Sequence, residues 1–451
     1  MTRHRTIRDP LWGNIHVEAD AATILDSAEF QRLRGVKQLG FAHMVYPGAV
    51  HSRFLHALGV YHLVTRALGA LEARGAFEVL DEDDRGAIPL IRLAALLHDV
   101  GHYPFSHAME ELGPDAIPRH HEEMAGRFLE ADAIRRVLET YGSDATARIG
   151  AIIRGESPHP LQGLVAGSLD LDKIDYLRRD SFFCGVPYGA VDVDRLIDAL
   201  TLAREADNAP YEVAVAEKGL SALETLLFSK YQMFRNVYWH HAVRAATVTF
   251  RKLIETALAS GLLATDDLAG PTDEELLAMI GHRVERTAGV ETDPGSSIER
   301  VRSLLHALTV RQLPKRVIEL FGDSLPQRFG AWTSNREDLV HRVEERLSVE
   351  WGLPAGSVAL DYPSKPGMMD LNLLLVRGDG SVQRLTERGA RGLIDLPRLG
   401  TALNHSARVL RVFALADVEA RDPAPLLALI ESTPEEVEQR LESPEPLLPT
   451  A

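Results

Sequence analysis

Three histidines and an aspartate follow an apolar run in the stretch LLHDVGHYPFSHAME, from Leu96 to Glu110. Burying such polar groups costs free energy unless each finds a partner. The stretch is therefore either a helix end that runs into a polar loop or one side of a metal site. A divalent ion with water ligands prefers neutral imidazoles and carboxylates that converge from different elements. Helical neighbours such as His98 and Asp99 point about 100° apart, so they share an ion only at a helix end, and two further ligands must come from elsewhere.

Two other segments offer such ligands. HSRFLHALGV supplies His51 and His56, and SLDLDKIDYLRRD supplies aspartates on a second predicted helix. Asp172, Tyr176 and Asp180 are spaced by four, so they share one helical face. That face is either the wall of a site or a solvated acidic surface paired with neighbouring basic residues. A lone histidine on an amphipathic helix is likewise more often a packing residue than a ligand.

The composition is that of a folded protein rather than a disordered or fibrous one. Of the 451 residues, 45% are hydrophobic and 25% are charged, and the net charge is −16. Such an acidic chain is a poor general binder of nucleic acid or of an anionic membrane. The single cysteine, Cys184, cannot form an internal disulfide, which fits a reducing cytosol. No secretory signal is recognisable and no window approaches 18 uncharged apolar residues, so we expect a cytoplasmic protein without a membrane span.

Most of the chain is predicted to be helical. Apolar residues spaced three and four apart predict a helix over 53–73, and IPLIRLAALL predicts a buried helix before the histidine-rich stretch. The segment 220–258 is predicted to hold the longest helix, and helices are expected again over 300–347. TDEE, from Thr272, has the pattern of a capping box that opens another helix.

Strands are expected mainly in the last third of the chain. VALDY, LNLLLV, SVQRL and RVLRVFAL have strand composition, and the RGDG between the second and third is typical of a hairpin turn. YEVAVAE predicts one earlier strand. We therefore predict a mainly α protein, with a helical core and a small α+β C-terminal lobe. The expected segments are 1–260 for the core, 261–349 for a helical lobe, 350–420 for the small α+β lobe and 421–451 for a C-terminal helix and tail, with a turn-rich connector at 287–297.

Taken together, the motifs resemble the HD phosphohydrolase superfamily. The set H…HD…D is formed by His56, His98–Asp99 and Asp172 in that order. The fuller stretches FQRLRGVKQLG, YPGAVHSRFLHALGV, LLHDVGHYPFSHAME and LDLDKIDYLRRDSFFCGV are similar to those of the deoxynucleoside triphosphate triphosphohydrolases, over residues 7–258. The resemblance implies a helical HD-domain core. It also implies cleavage between the α-phosphorus and the 5′-oxygen, which releases a deoxynucleoside and inorganic tripolyphosphate.

The resemblance implies a role for each polar residue of the motifs. His56, His98, Asp99 and Asp172 would hold one divalent ion, and manganese, magnesium and iron all tolerate mixed imidazole and carboxylate ligands. His107 would be the general acid that protonates the leaving 5′-oxygen, since imidazole suits proton transfer near neutral pH. The residues implied to assist are Glu110, His121 and Glu122, which would orient the acid, and His102, which would hold the α-phosphate.

The resemblance also implies contacts to the substrate. Arg53 and Lys173 would contact phosphates. Residues implied to hold the deoxyribose and the base are Gln38, Leu39, Tyr176 and Asp180. A buried hydrogen-bonding set around a hydroxyl discriminates well, because the wrong ligand leaves its groups unpaired.

The chain departs from the family pattern after a Met-Phe dipeptide at 233–234. In part of the family an arginine, a histidine and a tyrosine follow there, spaced by four. Counting from the dipeptide without gaps aligns Val237, His241 and Ala245 with them. Matching a later Tyr-x-His instead aligns Lys230, Phe234 and Tyr238. Both registers stay open, so Lys230, Tyr238 and His241 are all candidate substrate contacts.

A second nucleotide site is implied by DSAEFQRLR. Asp26, Gln31 and Arg34 match residues that bind an activating guanine nucleotide, GTP or dGTP, between subunits. An aspartate that accepts from N1 and N2 and an arginine that donates to O6 suit guanine. The alternative is a helix N-cap at Asp26 followed by surface charge. An activator site would imply allosteric control and a homo-oligomer, either a dimer or a homotetramer.

Two other functions are alternatives at this level. The HD scaffold also serves phosphodiesterases and nucleotide monophosphatases, which act on other substrates. A non-catalytic nucleotide sensor would keep the fold without the chemistry. The intact metal set, together with His107, His121 and Glu122, favours an enzyme over a sensor.

Overall fold

The computed structural model describes residues 4–112, 117, 121–287, 296–322, 325, 332–333, 336–354, 356–362, 372–385, 395–415, 418 and 421–448, without the side chains of 121, 396 and 397. Two compact units result, each made of segments that are distant in sequence. The first comprises 1–233, 264–280 and 369–401, and the second comprises 234–263, 281–368 and 402–451. The turn-rich connector predicted at 287–297 lies mostly outside the described residues.

Helices form most of the described chain, as predicted. They are α1 (Ala19–Leu25), α2 (Ala28–Arg32), α3 (Arg53–Ala73), α4 (Glu82–Leu97), α5 (His107–Glu110), α6 (His121–Leu129), α7 (Asp132–Leu138), α8 (Ala145–Ile153), α9 (Leu171–Cys184), α10 (Val193–Ala199), α11 (Leu220–Met233), α12 (His241–Ala259), α13 (Asp273–Thr287), α14 (Ser297–Thr309), α15 (Glu337–Glu350), α16 (Leu396–Ala407), α17 (Ala424–Ile430) and α18 (Pro434–Glu442). Short 3₁₀ turns connect several of them.

The strands of the described residues form three small sheets. They are β1 (Arg5–Asp9), β2 (Gly13–Val17), β3 (Leu200–Ala203), β4 (Glu212–Ala216), β5 (Lys315–Phe321), β6 (Val358–Asp361), β7 (Leu373–Val376), β8 (Val382–Leu385) and β9 (Val409–Ala414). Strands β1 and β2 form an antiparallel hairpin, and the other two sheets have the orders β3-β4-β7-β8 and β5-β9-β6.

Helix α3 is the central helix of the first unit and packs against both α4 and α9. It occupies the residues predicted from the apolar spacing, and its side chains at Ala57, Leu58 and Val64 are fully buried. By length and composition α3 is also apolar enough to cross a membrane. However, 67% of its apolar 18-residue stretch is buried inside the protein. Helix α4 begins where the Asp81 carboxylate accepts from the Asp84 N–H. These three helices bring the histidine motifs to one place.

The strands expected after residue 350 are present but are divided between two sheets. Strands β7 and β8 join β3 and β4 in the first unit, with the turn 377–380 between them as predicted. Strands β6 and β9 join β5 in the second unit. The two units therefore differ from the four consecutive segments expected, because β7 pairs with a strand about 160 residues earlier in the chain.

Two helical predictions differ from the structure. Residues 315–321, within the expected helical stretch, form β5, where a register shift buries the neighbouring Val317 and Ile318 together. Adjacent buried residues hide the alternation by which a strand is recognised. The long helix expected over 220–258 is interrupted by one π-helical turn, Phe234–Tyr238, and α12 restarts with His240 as its N-cap. The capping box of α13 at Thr272 and Glu275 is confirmed.

Candidate active site

Helices α3, α4 and α9 bring two imidazoles and a carboxylate together. His56 lies in the first turn of α3, His98 caps the end of α4, and Asp172 lies in the first turn of α9. The Nε2 atoms of His56 and His98 are 3.3 Å apart. Oδ1 of Asp172 lies 2.8 Å from the first of these nitrogens and 3.7 Å from the second. All three groups therefore face one point.

Asp99 completes this cluster from the loop after α4. Its Oδ2 lies 3.7 Å from His56 Nε2, and its Oδ1 lies 3.4 Å from His98 Nε2. One ligand atom from each of these three residues falls within 4.8 Å of the others, which is the spacing of a metal centre. Since His98 terminates its helix, the adjacent His98 and Asp99 reach the same point, as the sequence requires.

The other nitrogen of each imidazole is occupied by an acceptor. His98 Nδ1 lies 2.9 Å from the carbonyl oxygen of Ala95, and His56 Nδ1 lies 2.8 Å from Oδ2 of Asp175. Both acceptors require a proton on Nδ1, so Nε2 is the nitrogen of each ring that can bind a ligand in place of its own proton. Such partners are the usual support of metal-bound histidines. The residues therefore fit a divalent ion.

The charges of the cluster favour a cation at its centre. Burial opposes a charge on His56, yet its hydrogen bonds to Asp172 and Asp175 outweigh burial and raise its pKa to about 10. Burial also opposes charge on Asp99, but Arg53, His98 and His102 hold its pKa well below the usual range. The pKa of Asp172 is lowered in the same way by the two imidazoles. The carboxylates stay ionised and attract positive charge.

Arg53 connects the cluster to the loop that follows it. Its Nη1 donates to Oδ2 of Asp99 at 2.7 Å, and its Nε donates to Oγ of Ser106 at 2.7 Å. Its Nη2 is buried and has no hydrogen-bond partner among the described residues. A buried donor without a partner is costly, so this nitrogen suits an oxyanion of a ligand. His102 lies beside it, with Nε2 3.1 Å from Oδ1 of Asp99.

The loop from His102 to His107 has an unusual backbone. Phe105 and Ser106 have φ values of 56° and 49°, which lie in a backbone region that residues other than glycine rarely adopt. Asp273, from a distant segment of the same unit, accepts from the Phe105 N–H at 2.7 Å and holds this conformation. His107 follows this turn with 61% of its side chain exposed, and its Nδ1 lies 2.9 Å from Oε2 of Glu110. The histidine and glutamate thus form the expected pair.

The remaining residues implied to assist that pair lie at the start of α6. His121 is its first residue, but its side chain lies outside the described part of the chain. Glu122 follows it and is half-buried. Oε1 of Glu110 lies 3.6 Å from Nδ1 of His102. His102, His107 and Glu110 are therefore brought together, and the roles of His107 and of the four residues implied to assist it stay predictions.

A second buried polar group lies at the other end of α9. His51 Nε2 lies 2.8 Å from Oδ1 of Asp180, and the imidazole stacks on the Phe183 ring at 4.6 Å. Gln38 is buried, and its backbone N–H donates to the carbonyl oxygen of His51. Its side-chain Oε1 has no partner within the described chain. Gln38 and Asp180, both predicted to hold the sugar, are thus linked through His51, which the motif comparison did not select.

The other predicted substrate contacts differ in burial and in the contacts that they already make. Leu39 and Tyr176 are half-buried, and burial beside Asp172 raises the pKa of the Tyr176 phenol. Lys173 donates to the Gly167 carbonyl at 2.7 Å and pairs with Asp170, the N-cap of its own helix. Its ammonium is thus already engaged with the protein, and its contact to a phosphate stays a prediction.

The residues of the two open registers belong to different units. Lys230 lies in α11 of the first unit. Tyr238 lies in the π turn of the second unit with its ring 4.9 Å from that of Phe234, and His241 opens α12 as an exposed residue. The register question stays open.

The residues of the predicted activator site lie between α1 and the turn after α2. Asp26 pairs with Arg5 of β1, with Nη1 of the arginine 2.6 Å from Oδ1. Arg34 Nε donates to Oε1 of Gln31 at 2.7 Å, and its guanidinium lies 3.7 Å from the Phe54 ring centre. The N-cap of α2 is Ser27 rather than Asp26, so the alternative interpretation of Asp26 as an N-cap is wrong.

The residues that hold His56 in place are not among those predicted from the sequence motifs. Asp175 and Arg179 form a buried pair with two contacts of 2.8 and 2.9 Å, although their i, i+4 spacing had the appearance of a surface ion pair. Asp9 and Trp12 reach this pair from the β1–β2 hairpin. A fully buried Asp–Arg pair beside a ligand histidine is not a solvated face.

Comparisons with known proteins agree with the motifs. Residues 53–179 match the model of the HD domain family, and residues 191–391 match that of the HD associated region. An uncharacterized protein of Methanocaldococcus jannaschii is 28% identical over 385 residues, 85% of this chain and 74% of the relative. The deoxynucleoside triphosphate triphosphohydrolase SAMHD1 homolog of Dictyostelium discoideum is 28% identical over 333 residues, 70% of this chain and 60% of the relative.

Several other curated relatives are matched over only 45% to 57% of their own length. The match to a solved structure is more complete. The structure of a hypothetical protein from Aquifex aeolicus is 27% identical, with a TM-score of 0.66, and the match covers 91% of this chain and 96% of that one. The HD-family match includes His56, His98, Asp99 and Asp172. The chain belongs to the HD-domain superfamily of phosphohydrolases, in which it resembles the deoxynucleoside triphosphate triphosphohydrolases.

Proposed function

We propose that the protein hydrolyses deoxynucleoside triphosphates to deoxynucleosides and inorganic tripolyphosphate. The observation that carries the proposal is the position of Arg53. Its guanidinium holds the ligand aspartate Asp99 with one nitrogen, and Nη2 is buried without a partner in the described chain. A phosphate oxygen at Nη2 would satisfy that donor. The names of the animal and amoebal relatives support the triphosphate as substrate.

The residues that would hold one divalent ion are His56, His98, Asp99 and Asp172. Manganese, magnesium and iron remain candidates, since all accept imidazole and carboxylate ligands. When bound, such an ion supplies polarisation of a phosphate oxygen and a lower pKa for a coordinated water. Arg53 would bind and orient the phosphate beside it.

The His107–Glu110 pair would supply the proton for the leaving oxygen. The carboxylate accepts from Nδ1, so it fixes the ring and leaves Nε2 to carry the transferable proton. The exposure of His107 leaves that edge accessible to a ligand. Gln38 would accept a hydrogen bond from a sugar hydroxyl through its unpaired Oε1, beside the His51–Asp180 pair.

We further propose that the enzyme works in the cytoplasm as a homo-oligomer, a dimer or a tetramer, activated by GTP or dGTP. Asp26, Gln31 and Arg34 are the proposed activator contacts. In the single chain Asp26 pairs with Arg5, so a guanine base would have to replace that arginine.

The test is a product assay with purified protein, manganese and all four deoxynucleoside triphosphates, with and without GTP. Liquid chromatography would detect deoxynucleosides, and phosphorus NMR would distinguish tripolyphosphate from orthophosphate and pyrophosphate. We expect deoxynucleoside and tripolyphosphate in equal amounts. Asp172→Asn should abolish turnover, whereas Asp194→Asn, which changes an aspartate with 80% of its side chain exposed, should retain it. Cleavage of monophosphates or cyclic dinucleotides with triphosphates left intact would contradict the proposal.

A further inference from the structure

Asp175 is surrounded by hydrogen-bond donors. Its Oδ2 accepts from His56 Nδ1 and from Arg179 Nε, each at 2.8 Å. Its Oδ1 accepts from Arg179 Nη2 at 2.9 Å and from Trp12 Nε1 at 2.5 Å. Asp175 and Arg179 are both fully buried. Four N–H groups therefore converge on one carboxylate that water does not reach.

The arginine of this group is itself held by the N-terminal hairpin. Arg179 Nη1 donates to Oδ2 of Asp9 at 2.8 Å. The other oxygen of Asp9 accepts from the backbone N–H groups of Leu11 and Trp12, both at 2.8 Å. The carboxylate of Asp9 thus fixes both the hairpin turn and Arg179. The same turn places the Trp12 indole beside Asp175.

Helix α3 leaves room for this group at Gly59, one turn after His56. A Cβ atom at Gly59 would lie 2.0 Å from Oδ1 of Asp175 and 2.4 Å from Nη2 of Arg179, closer than any real contact. Only glycine lets the carboxylate approach the helix backbone this closely. The position of Asp175 is therefore fixed by three elements: α9, which carries it, α3 with Gly59 and His56, and the hairpin turn with Trp12.

We propose that Asp175 is a positioning residue that makes His56 a metal ligand, and that Arg179, Asp9 and Trp12 hold it in place. The carboxylate requires the proton of His56 on Nδ1, so Nε2, which faces Asp172 and His98, is the nitrogen that can bind an ion. The inference rests on the metal centre of the proposed function and extends it to the N-terminal hairpin. Without Asp175 the imidazole loses the contact that selects its tautomer and its ring angle.

An amide cannot replace this carboxylate. Each oxygen of Asp175 accepts from two N–H donors, so the NH₂ group of an asparagine would face two N–H groups in either orientation. A role limited to fold stability predicts a different result from a positioning role. The first lowers the unfolding temperature alone, whereas the second also weakens the binding of an ion to protein that is still folded.

The experiment compares Asp175→Asn, Trp12→Phe and a matched control in the full-length chain. The control is Asp361→Asn in the second unit, where Asp361 forms a comparably buried pair with Arg244. Each protein is stripped of metal and titrated with Mn²⁺, with the free ion measured by electron paramagnetic resonance. Thermal unfolding of the metal-free proteins is measured in parallel.

We expect Asp175→Asn to bind Mn²⁺ about 10- to 100-fold more weakly than the wild type, as changes of such partners usually do. The affinity of Trp12→Phe for Mn²⁺ should lie between those of Asp175→Asn and the wild type. This substitution leaves the net charge unchanged, so weaker binding there cannot come from a lost negative charge. Asp361→Asn should unfold at a lower temperature while its affinity for Mn²⁺ stays that of the wild type.

Two outcomes would overturn the inference. Wild-type affinity in folded Asp175→Asn and in Trp12→Phe would contradict the positioning role while leaving the metal centre intact. Should Asp175→Asn not fold, Trp12→Phe alone decides the question. A wild-type protein that binds neither Mn²⁺ nor Mg²⁺ would contradict the metal centre itself, and with it the proposed function.

Discussion

Arg53 Nη1 lies 2.7 Å from Oδ2 of Asp99, and both side chains are buried. A carboxylate next to a guanidinium stays ionised in a buried site, which agrees with the strongly lowered pKa of Asp99. The same guanidinium reaches Ser106 in the loop before His107. Arg53 therefore links the candidate ligand, the turn that presents the candidate acid and a free position for an anion.

Arg53→Lys should lower kcat/KM for a triphosphate substrate on the order of 10- to 100-fold, because a lost hydrogen bond to a charged group costs about 1.5–3 kcal/mol. A lysine can pair with Asp99 but cannot also reach Ser106 and a phosphate. Steady-state kinetics would measure the loss. The control is Arg66→Lys on the same helix, where the pair with Asp194 is exposed. Equal kcat/KM values in the two variants would argue against a phosphate contact.

Two glycines of helix α3 should respond oppositely to alanine. Gly59→Ala places a methyl group against Asp175 and Arg179, and overpacking of this kind costs about 1–3 kcal/mol. Gly69→Ala meets no atom within 4 Å and should stabilise the helix by about 0.5–1 kcal/mol. Urea unfolding of the metal-free proteins would measure both values. A Gly59→Ala protein as stable as the wild type would mean that Asp175 can move away from the helix.

His107→Asn should lower kcat about 10²- to 10⁴-fold, the range for loss of a general acid. Because its side chain is directed toward Glu110, binding of Mn²⁺ should stay unchanged. Rapid-mixing kinetics on the variant, together with the Mn²⁺ titration, would separate the two effects. His341→Asn changes an exposed histidine of α15 and serves as the control. Loss of metal binding in His107→Asn would assign the residue to the metal centre instead.

His240 should make the protein less stable in mild acid. Burial, together with His241, Arg411 and Arg316, lowers its pKa from the ordinary 6.5 to about 4. Between these values the unfolded chain takes up a proton that the folded chain refuses, so the free energy of unfolding falls as the pH drops from 6.5 to 4. Above pH 6.5 the residue has no such effect.

His240→Asn removes this titration and keeps a side-chain acceptor for the N–H of Ala242 at the start of α12. Urea unfolding at pH values from 7.5 to 4 should therefore show a shallower decline for the variant than for the wild type. The exposed His341 again provides the control, since His341→Asn should follow the wild-type curve. Parallel curves for His240→Asn and the wild type would contradict the effect.

The resemblance to the HD phosphohydrolases implies His56, His98, Asp99 and Asp172 as ligands, and the structure brings the four side chains together. Local periodicity predicts only the helices at whose ends these residues lie. The support of His56 cannot be found in this way. Asp175 and Arg179 have the spacing of a surface pair, and only Asp9, 170 positions away from Arg179, shows that the pair is buried.

In the sheets too, pairings between neighbouring strands can be predicted from the sequence, whereas pairings between distant strands cannot. The β7–β8 hairpin is predictable because its turn lies within the segment. The pairing of β7 with β4 is not, since neither strand carries a signal for a partner so far along the chain. Strand β5 escapes prediction because its register shift interrupts the alternation of buried residues.

The place of β4 between β3 and β7 has a consequence during synthesis. When the ribosome has made the first 260 residues, every helix that bears a candidate ligand is complete, yet β4 still lacks its parallel neighbour. An exposed strand edge pairs readily with other chains. The nascent protein therefore has to keep this edge covered until β7 emerges, and a truncated gene ending near residue 260 should yield aggregates rather than an isolated catalytic core.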